Sequence, residues 1–367
     1  MKRLTILGSI LSVLIPQSAI YGLSFNDAVF PELATSGRAL AMGNAFLNRA
    51  DDSSAVFYNP AGLGTVRYGH FHLSNFTLES NKGWLQLTTG GKITDAMSSF
   101  SDGFNLDGFR KLLVDNKGTL AHTRFHMLPN LTTRYFSTGY LFSRRYKGYL
   151  GAEAGDQFEY AYRQDHGPYM ALNLSLFGGV IKLGASGIML QRNELIGTGD
   201  PSITLDPQDN DYNKGSALIV TAGGRITLPI TYLPTISYVM HNALDKAFTG
   251  RAAGAPTEIK QTVDVGFSIT PQWGRNTRAH FEINYKDMDK IYTDVSVARR
   301  IIAGMELDFS RVMYVRLGYG DGFGSFGLGI KSKRLEFDLT TYAVDTTGAS
   351  YRGKEDRRFT MTVSSGF

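Results

Sequence analysis

Seven histidines invite chemistry first: His70, His72, His122, His126, His166, His241 and His280. On a strand, His70 and His72 place both rings on one face, the geometry of two metal ligands. No acidic or third histidine ligand stands near them in sequence. The pair therefore reads as polar residues of a lumen or an interface, and no metal is expected. Asp206-Pro207-Gln208-Asp209-Asn210-Asp211 offers oxygen ligands of the calcium type but lacks the closing Glu of an EF-hand loop, so a solvated acidic loop is expected. Gly318-Tyr319-Gly320-Asp321-Gly322-Phe323-Gly324 is glycine-rich, yet no helix follows to supply the N-terminus that a phosphate cradle needs. A hydrolase would require a Ser–His pair with an orienting group, and no such pairing stands out. No enzyme activity, catalytic residue or cofactor is expected.

The elements that must position these residues are not those of an ordinary soluble enzyme. The chain has no cysteine, which excludes disulfides, thiolate metal sites and a lipoprotein anchor. It carries 41 Gly, 19 Tyr and 23 Phe, the supply that a membrane barrel needs for interfacial girdles, tight turns and a crowded lumen. Lys2 and Arg3 precede an apolar stretch from Leu4 to Ile15, followed by small and breaking residues from Pro16 to Gly22. That apolar core is about 12 residues, short of the ~20 that a spanning helix needs. Residues 1–22 are expected to be a cleaved signal peptide, cut between Ala19 and Ser24. After residue 23 no comparable apolar run exists, which excludes a multi-helix membrane protein. The formal charge of +5 falls to +3 when Lys2 and Arg3 leave, too mild for a nucleic-acid partner.

A ladder of alternating segments follows. In Thr277 to Asp287, Ala279, Phe281, Ile283 and Tyr285 face one way, and Arg278, His280, Glu282, Asn284 and Lys286 the other. Thr262 to Thr270 and Arg334 to Ala343 repeat the pattern. Charges in mid-strand on one face only are permitted by a polar lumen and forbidden by lipid. Further strands are expected at 66–78, 131–142, 148–160, 167–177, 180–192, 214–227, 231–241, 298–308, 311–319 and 323–331. With the terminal strand this gives roughly 14, an even number as bacterial single-chain barrels require. The fold class is all-β, a transmembrane antiparallel barrel over residues 66–367 in the bacterial outer membrane, contacting its lipid.

The chain ends in a strand from Arg358 to Phe367 whose odd positions are mostly apolar. With its end at the periplasmic rim, the turns 143–147, 178–179, 228–230, 271–276, 309–310 and 332–333 are periplasmic and short. The outer loops are then 79–130, 193–213, 242–261, 288–297 and 344–357, mostly long, the expected asymmetry. Two short connections, 161–166 and Asp321-Gly322, fall on the outer side against the trend. Within 79–130, Asp107 to Val114 reads as an amphipathic helix with Phe109, Leu112 and Leu113 on one face. The favoured expectation is a lid over the barrel mouth; the other is a ligand-landing surface made of the same residues. Phe359 and Phe367 on the terminal strand resemble the C-terminal aromatic signal read by the barrel-assembly machinery.

Residues 23–65 are not a strand ladder. Asp51-Asp52-Ser53-Ser54 supplies N-cap chemistry for a short helix from Ala55 to Tyr58, and Asn59-Pro60 ends it. The run Gly37 to Phe46, then Ala50 to Leu63 with its Asn59-Pro60-Ala61-Gly62-Leu63 element, resembles the N-terminal region of FadL-like outer-membrane proteins. That family includes long-chain fatty acid and hydrocarbon transporters, and PorV-type relatives that serve secretion. The resemblance implies a barrel of about 14 strands plugged by residues 23–65, the hatch, with Asn59, Pro60, Ala61, Gly62 and Leu63 as its gating element. It implies passive uptake of a hydrophobic ligand such as a fatty acid or hydrocarbon. Strand parity makes Arg278, Lys286 and Arg316 the candidate lumen cations for a carboxylate. The alternative is a barrel that transports nothing and serves as a platform for a secretion partner protein.

Overall fold

The computed structural model describes residues 33–67, 69–89, 102–252, 254–293, 295–332, 334–346 and 352–366. Residues 1–32, which include the expected signal peptide, and Phe367 lie outside them. The alternating stretches form β1 (His70–Asn81), β2 (Leu120–Met127, resumed at Asn130–Thr132), β3 (Phe136–Leu150), β4 (Phe158–Leu176) and β5 (Ile181–Gly199). They continue as β6 (Asn213–Thr227), β7 (Thr235–His241, resumed at Thr249–Ala252), β8 (Thr262–Ile269, resumed at Gln272–Trp273), β9 (Thr277–Tyr285) and β10 (Ile301–Phe309). The last four are β11 (Met313–Gly320), β12 (Phe323–Lys331), β13 (Leu335–Asp345) and β14 (Glu355–Gly366). Each strand pairs antiparallel with the next, and β14 returns to β1 with Val363 opposite Phe76 and Met361 opposite Leu78. The result is a closed 14-strand barrel, and closure leaves no unpaired edge.

The period of two decides which way each side chain points. On β9, His280, Glu282 and Asn284 are buried in the lumen, while Ile283 between them is exposed on the wall's outer face. Leu172, Leu174, Ile236, Phe267, Leu317, Leu328, Leu339 and Phe359 are likewise exposed outward, an apolar belt suited to lipid. The expected polar-in, apolar-out parity therefore holds on β8, β9, β13 and β14.

The expected number of strands is correct, but two of its parts are not. Residues 120–132 form a strand where a loop was expected, and the three expected strands 131–142, 148–160 and 167–177 are two, β3 and β4. The expected turn 143–147 and the anomalous connection 161–166 both lie in mid-strand, where Arg144 donates to Gln164 across the pair at 2.9 Å. The reason is length. β3, β4 and β5 run 15, 19 and 19 residues, whereas roughly 9–11 cross a bilayer. Their far ends stand clear of lipid, carry polar residues on both faces and so mimic turns. With these corrections the connections 133–135, 177–180, 228–234, 310–312 and 332–334 at one rim are short. At the other rim 82–119, 200–212, 242–261 and 286–300 are long, while 151–157 is no longer than 228–234. Asp321-Gly322 remains a two-residue turn among the long loops, with positive φ at both residues, the conformation that an Asp-Gly hairpin favours.

Between β1 and β2, the helices α3 (Lys82–Thr89) and α4 (Leu106–Val114) follow α1 (Gly37–Ala41) and α2 (Ala55–Tyr58) of the N-terminal segment. α4 starts where the Asn105 side chain accepts the Asp107 N–H, and it buries Phe109 and Leu113, with Leu112 packed beside them. Their partners are Tyr146, Leu150, Phe158 and Leu195. Those four share the outward parity of Tyr140, Met170 and Met189, which are exposed. The helix therefore covers the outside of the wall where β3–β5 project, and it is neither a lid on the mouth nor a landing surface in it. Arg110 donates to the Pro201 carbonyl at 2.6 Å and Leu205 N–H to Asp107 at 3.0 Å, strapping the 200–212 loop to the helix. Partial burial pushes the Asp107 carboxyl up, but hydrogen bonds from Arg110, the Leu205 N–H and Lys111 outweigh it and hold the group down at about 2.

Candidate functional site

An irregular segment carries backbone N–H and C=O groups that no ladder satisfies, so inside a barrel the wall must supply their partners. Residues 33–66 show this. Ser325 on β12 donates to the Ala41 carbonyl and accepts the Gly43 N–H, both at 2.9 Å. Thr340 on β13 donates to the Gly37 carbonyl at 2.8 Å, and Ser186 on β5 to that of Val56 at 2.6 Å. The Asn48 N–H reaches Glu282 on β9 at 2.9 Å, and Asn173 on β4 reaches the Ala61 carbonyl at 3.1 Å. Contacts around the ring of strands place the segment within the lumen.

The lumen is divided. On one side the segment's Met42, Phe46, Val56 and Leu63 pack with inward Leu141, Tyr169, Ile188 and Ile219 of β3–β6. On the other, Glu306 of β10 receives three guanidinium groups. Arg38 binds it through two nitrogens at 2.7 and 2.8 Å, Arg49 at 2.9 Å and Arg316 of β11 at 2.7 Å. Arg38 also reaches Asp51 at 2.6 Å, and Arg316 pairs with Asp338. Two cavities flank the segment. One of about 60 Å³ lies toward the long-loop rim, beside Val56, Ile188, Ile219 and Ile259. The other, of about 650 Å³, lies toward the short-turn rim, among Arg38, Arg278, Arg311 and Arg316.

No protein-family model and no curated protein matches the sequence. Among solved structures, the chain superposes on a TodX monoaromatic hydrocarbon channel (the deltaS2S3 mutant) with a TM-score of 0.53 at 10% identity, covering 91% of this chain and 99% of that one. Against the CymD monoaromatic hydrocarbon channel the TM-score is 0.50 at 9% identity, over 92% and 99% of the two chains. The chain has the FadL-like fold. The match to CdiB from Acinetobacter baumannii spans 60% of that protein at a TM-score of 0.37, below what a shared fold requires.

Within this FadL-like barrel the expected gating element is a capped turn. α2 ends at Tyr58, Asn59 is extended, and a 3-10 helix runs Pro60–Thr65. The Asn59 side chain accepts the Ala61 N–H at 3.1 Å and donates to the Leu47 carbonyl at 3.0 Å. Asn59→Ala strips both partners from fully buried groups, a cost of about 2 kcal/mol. Hydrogen exchange over residues 59–65 is expected to quicken about 30-fold, and unchanged exchange would show that the cap is dispensable.

The other expected site residues scatter. Arg278 and Arg316 line the large cavity, but Arg316 is committed to Glu306 and Asp338. Lys286 borders the small one, 3.9 Å from Asp264. Phe109, Leu112 and Leu113 are outside the wall, and Phe359 faces outward from β14. His72 points inward, 3.5 Å from Asn130; the His70 side chain is not among the described groups. Among the described residues, no three His, Asp or Glu side chains group to hold a metal ion. Asp211 instead caps the turn at Gln208, and Asp209 pairs with Lys214. The sequence reading passed over Glu306, Ser325 and Ser186, whose only signal is lumen parity.

Proposed function

We propose that this chain is a passive outer-membrane channel for hydrophobic small molecules, with residues 33–66 as the movable hatch. The carrying observation is the small cavity with one apolar side between the segment and β5–β6, on the long-loop side of the plug. Its apolar side is formed by Leu47, Val56, Phe57, Ile188, Ile219 and Ile259, and its polar side includes His241, Lys260, Asp264 and Lys286. At about 60 Å³ it is smaller than the ~150 Å³ cavity that holds benzene, so entry requires the segment to shift. Once inside, burial contributes about 0.8 kcal/mol per CH₂, sufficient for capture without covalent chemistry. Lys260 and Lys286 line the cavity as cations for a carboxylate, Lys286 with Asp264 beside it; an uncharged hydrocarbon needs neither. The names of TodX and CymD as monoaromatic hydrocarbon channels support the reading.

Ile188 projects from the wall into this niche, and Ile188→Asp puts a carboxylate there at prohibitive cost to an apolar guest. Mass spectrometry of organic extracts from the purified barrel should find a hydrophobic molecule, reduced at least about tenfold in the variant. A wild-type barrel that carries none and instead co-purifies with a protein would favour the partner-platform alternative.

A further inference from the structure

The large cavity at the short-turn rim does not suit an apolar guest. At one end, Arg38, Arg49, Arg316 and Lys331 pair with Glu306, Asp51, Asp52, Asp338 and Glu336, one acid in excess. At the other end stand Arg67, Arg278 and Arg311. Among the described residues, none of these three forms an ion pair with a carboxylate. Arg278 lies within electrostatic reach of Arg311, Arg67 and Arg49, and of the acid Asp308. That acid is itself engaged, accepting the Arg311 backbone N–H at 2.6 Å. Three cations beside one acid leave this end of the wall positive, in a 650 Å³ space ample for a small molecule.

We infer that this end of the cavity is a binding site for a phosphate monoester dianion, held by Arg67, Arg278 and Arg311. Uncompensated guanidinium groups facing one space repel each other and are stabilised together by one multiply charged anion. The planar guanidinium fork matches the oxygens of phosphate, and a monoester's charge of about −2 balances the local excess. Val312 and Leu128 also line the cavity and supply apolar contact for a small organic body. The three arginines approach from separate places: ahead of β1, at the start of β9, and in the β10–β11 turn. The site thus exists only in the closed barrel, and it opens toward the rim opposite the long loops.

The test uses the full mature chain in phosphatidylcholine nanodiscs, titrated with phenyl phosphate by calorimetry, with benzenesulfonate as a monoanion of similar body. Saturable binding of phenyl phosphate is expected, weakened about tenfold in Arg278→Gln and again in Arg311→Gln. Arg278→Lys should recover part of the loss, and heat-modifiable migration on gels reports that each variant is folded. If nanodiscs containing phosphatidic acid suppress the titration, the phosphate comes from a lipid headgroup; if they do not, it comes from a soluble ester. Absence of saturable binding, equal binding of benzenesulfonate, or unchanged affinity in folded Arg278→Gln overturns the assignment.

Discussion

Glu306→Gln is expected to release the N-terminal segment while the barrel stays intact. Glu306 is 1% exposed and is the shared acceptor of Arg38, Arg49 and Arg316. Removing its charge takes away the acceptor that joins the three guanidinium groups, leaving Arg38 and Arg49 on Asp51 and Asp52 within the segment and Arg316 on Asp338 of the wall. Breaking a buried ion pair from one side costs about 3–5 kcal/mol when the partner charge is left alone, and the remaining carboxylates put this case toward the lower figure. The wall is held by continuous pairing around the ring, whereas this side of the segment is held by Arg38, Arg49 and a few hydrogen bonds. The weaker structure gives way. Hydrogen exchange over residues 37–52 should accelerate by at least about a hundredfold, with heat-modifiable migration of the barrel unchanged. The double variant Glu306→Gln with Arg38→Gln should recover part of the loss, since it removes one of the stranded charges. Equal exchange in wild type and variant would mean that the ion-pair hub does not hold the plug.

How far the sequence foretold this arrangement depended on the range of each interaction. The β8–β9 hairpin was legible because Val263, Val265 and Phe267 alternate with Asp264 and Ser268, a pattern set by one strand and its immediate surroundings. β3 and β4 were misread because Arg144, Arg145 and Lys147 lie beyond the zone where lipid enforces alternation. β2 was hidden in an expected loop. Its outward Ala121 and Thr123 need no lipid-compatible side chain, since Ala121 packs in the cluster that α3 and α4 form. At the site, the helix end at Asn59-Pro60 was readable because a proline restricts the residue before it. The cap expected from residues 51–54 makes no side-chain bond to α2, and the Asn59 side chain caps the next turn instead. The Arg38–Glu306 hub was not readable, because 268 residues separate its partners. Parity placed Arg278, Lys286 and Arg316 correctly toward the lumen, but it carries no information on which acid each will meet.

The largest functional change should come from the glycines where wall and segment touch. A Cβ built on Gly184 of β5 would lie 2.3 Å from both the Pro60 carbonyl carbon and the Ala61 nitrogen; on Gly318 of β11 it would lie 2.0 Å from the Gly43 nitrogen. Both obstacles are backbone, so no rotamer change relieves them. Gly184→Val forces either β5 or the Pro60–Thr65 turn to move. β5 is paired along its length to β4 and β6, so the turn yields, at an overpacking cost of about 1–3 kcal/mol. Adding Gly318→Val pushes from the opposite wall against Gly43, leaving the segment no position within the ring that avoids both side chains. An emptied lumen of this strand number is wide enough for water, between the packed barrels of about 8 strands and the open pores of about 16. Planar-bilayer conductance should rise from near zero for wild type to an open-pore level for the double variant, with Gly184→Val alone flickering between the two. A folded double variant that conducts no more than wild type would mean that the wall, not the segment, absorbs the strain. In that case the segment would be a fixed part of the barrel, and passage through the lumen by hatch movement would fail as a mechanism.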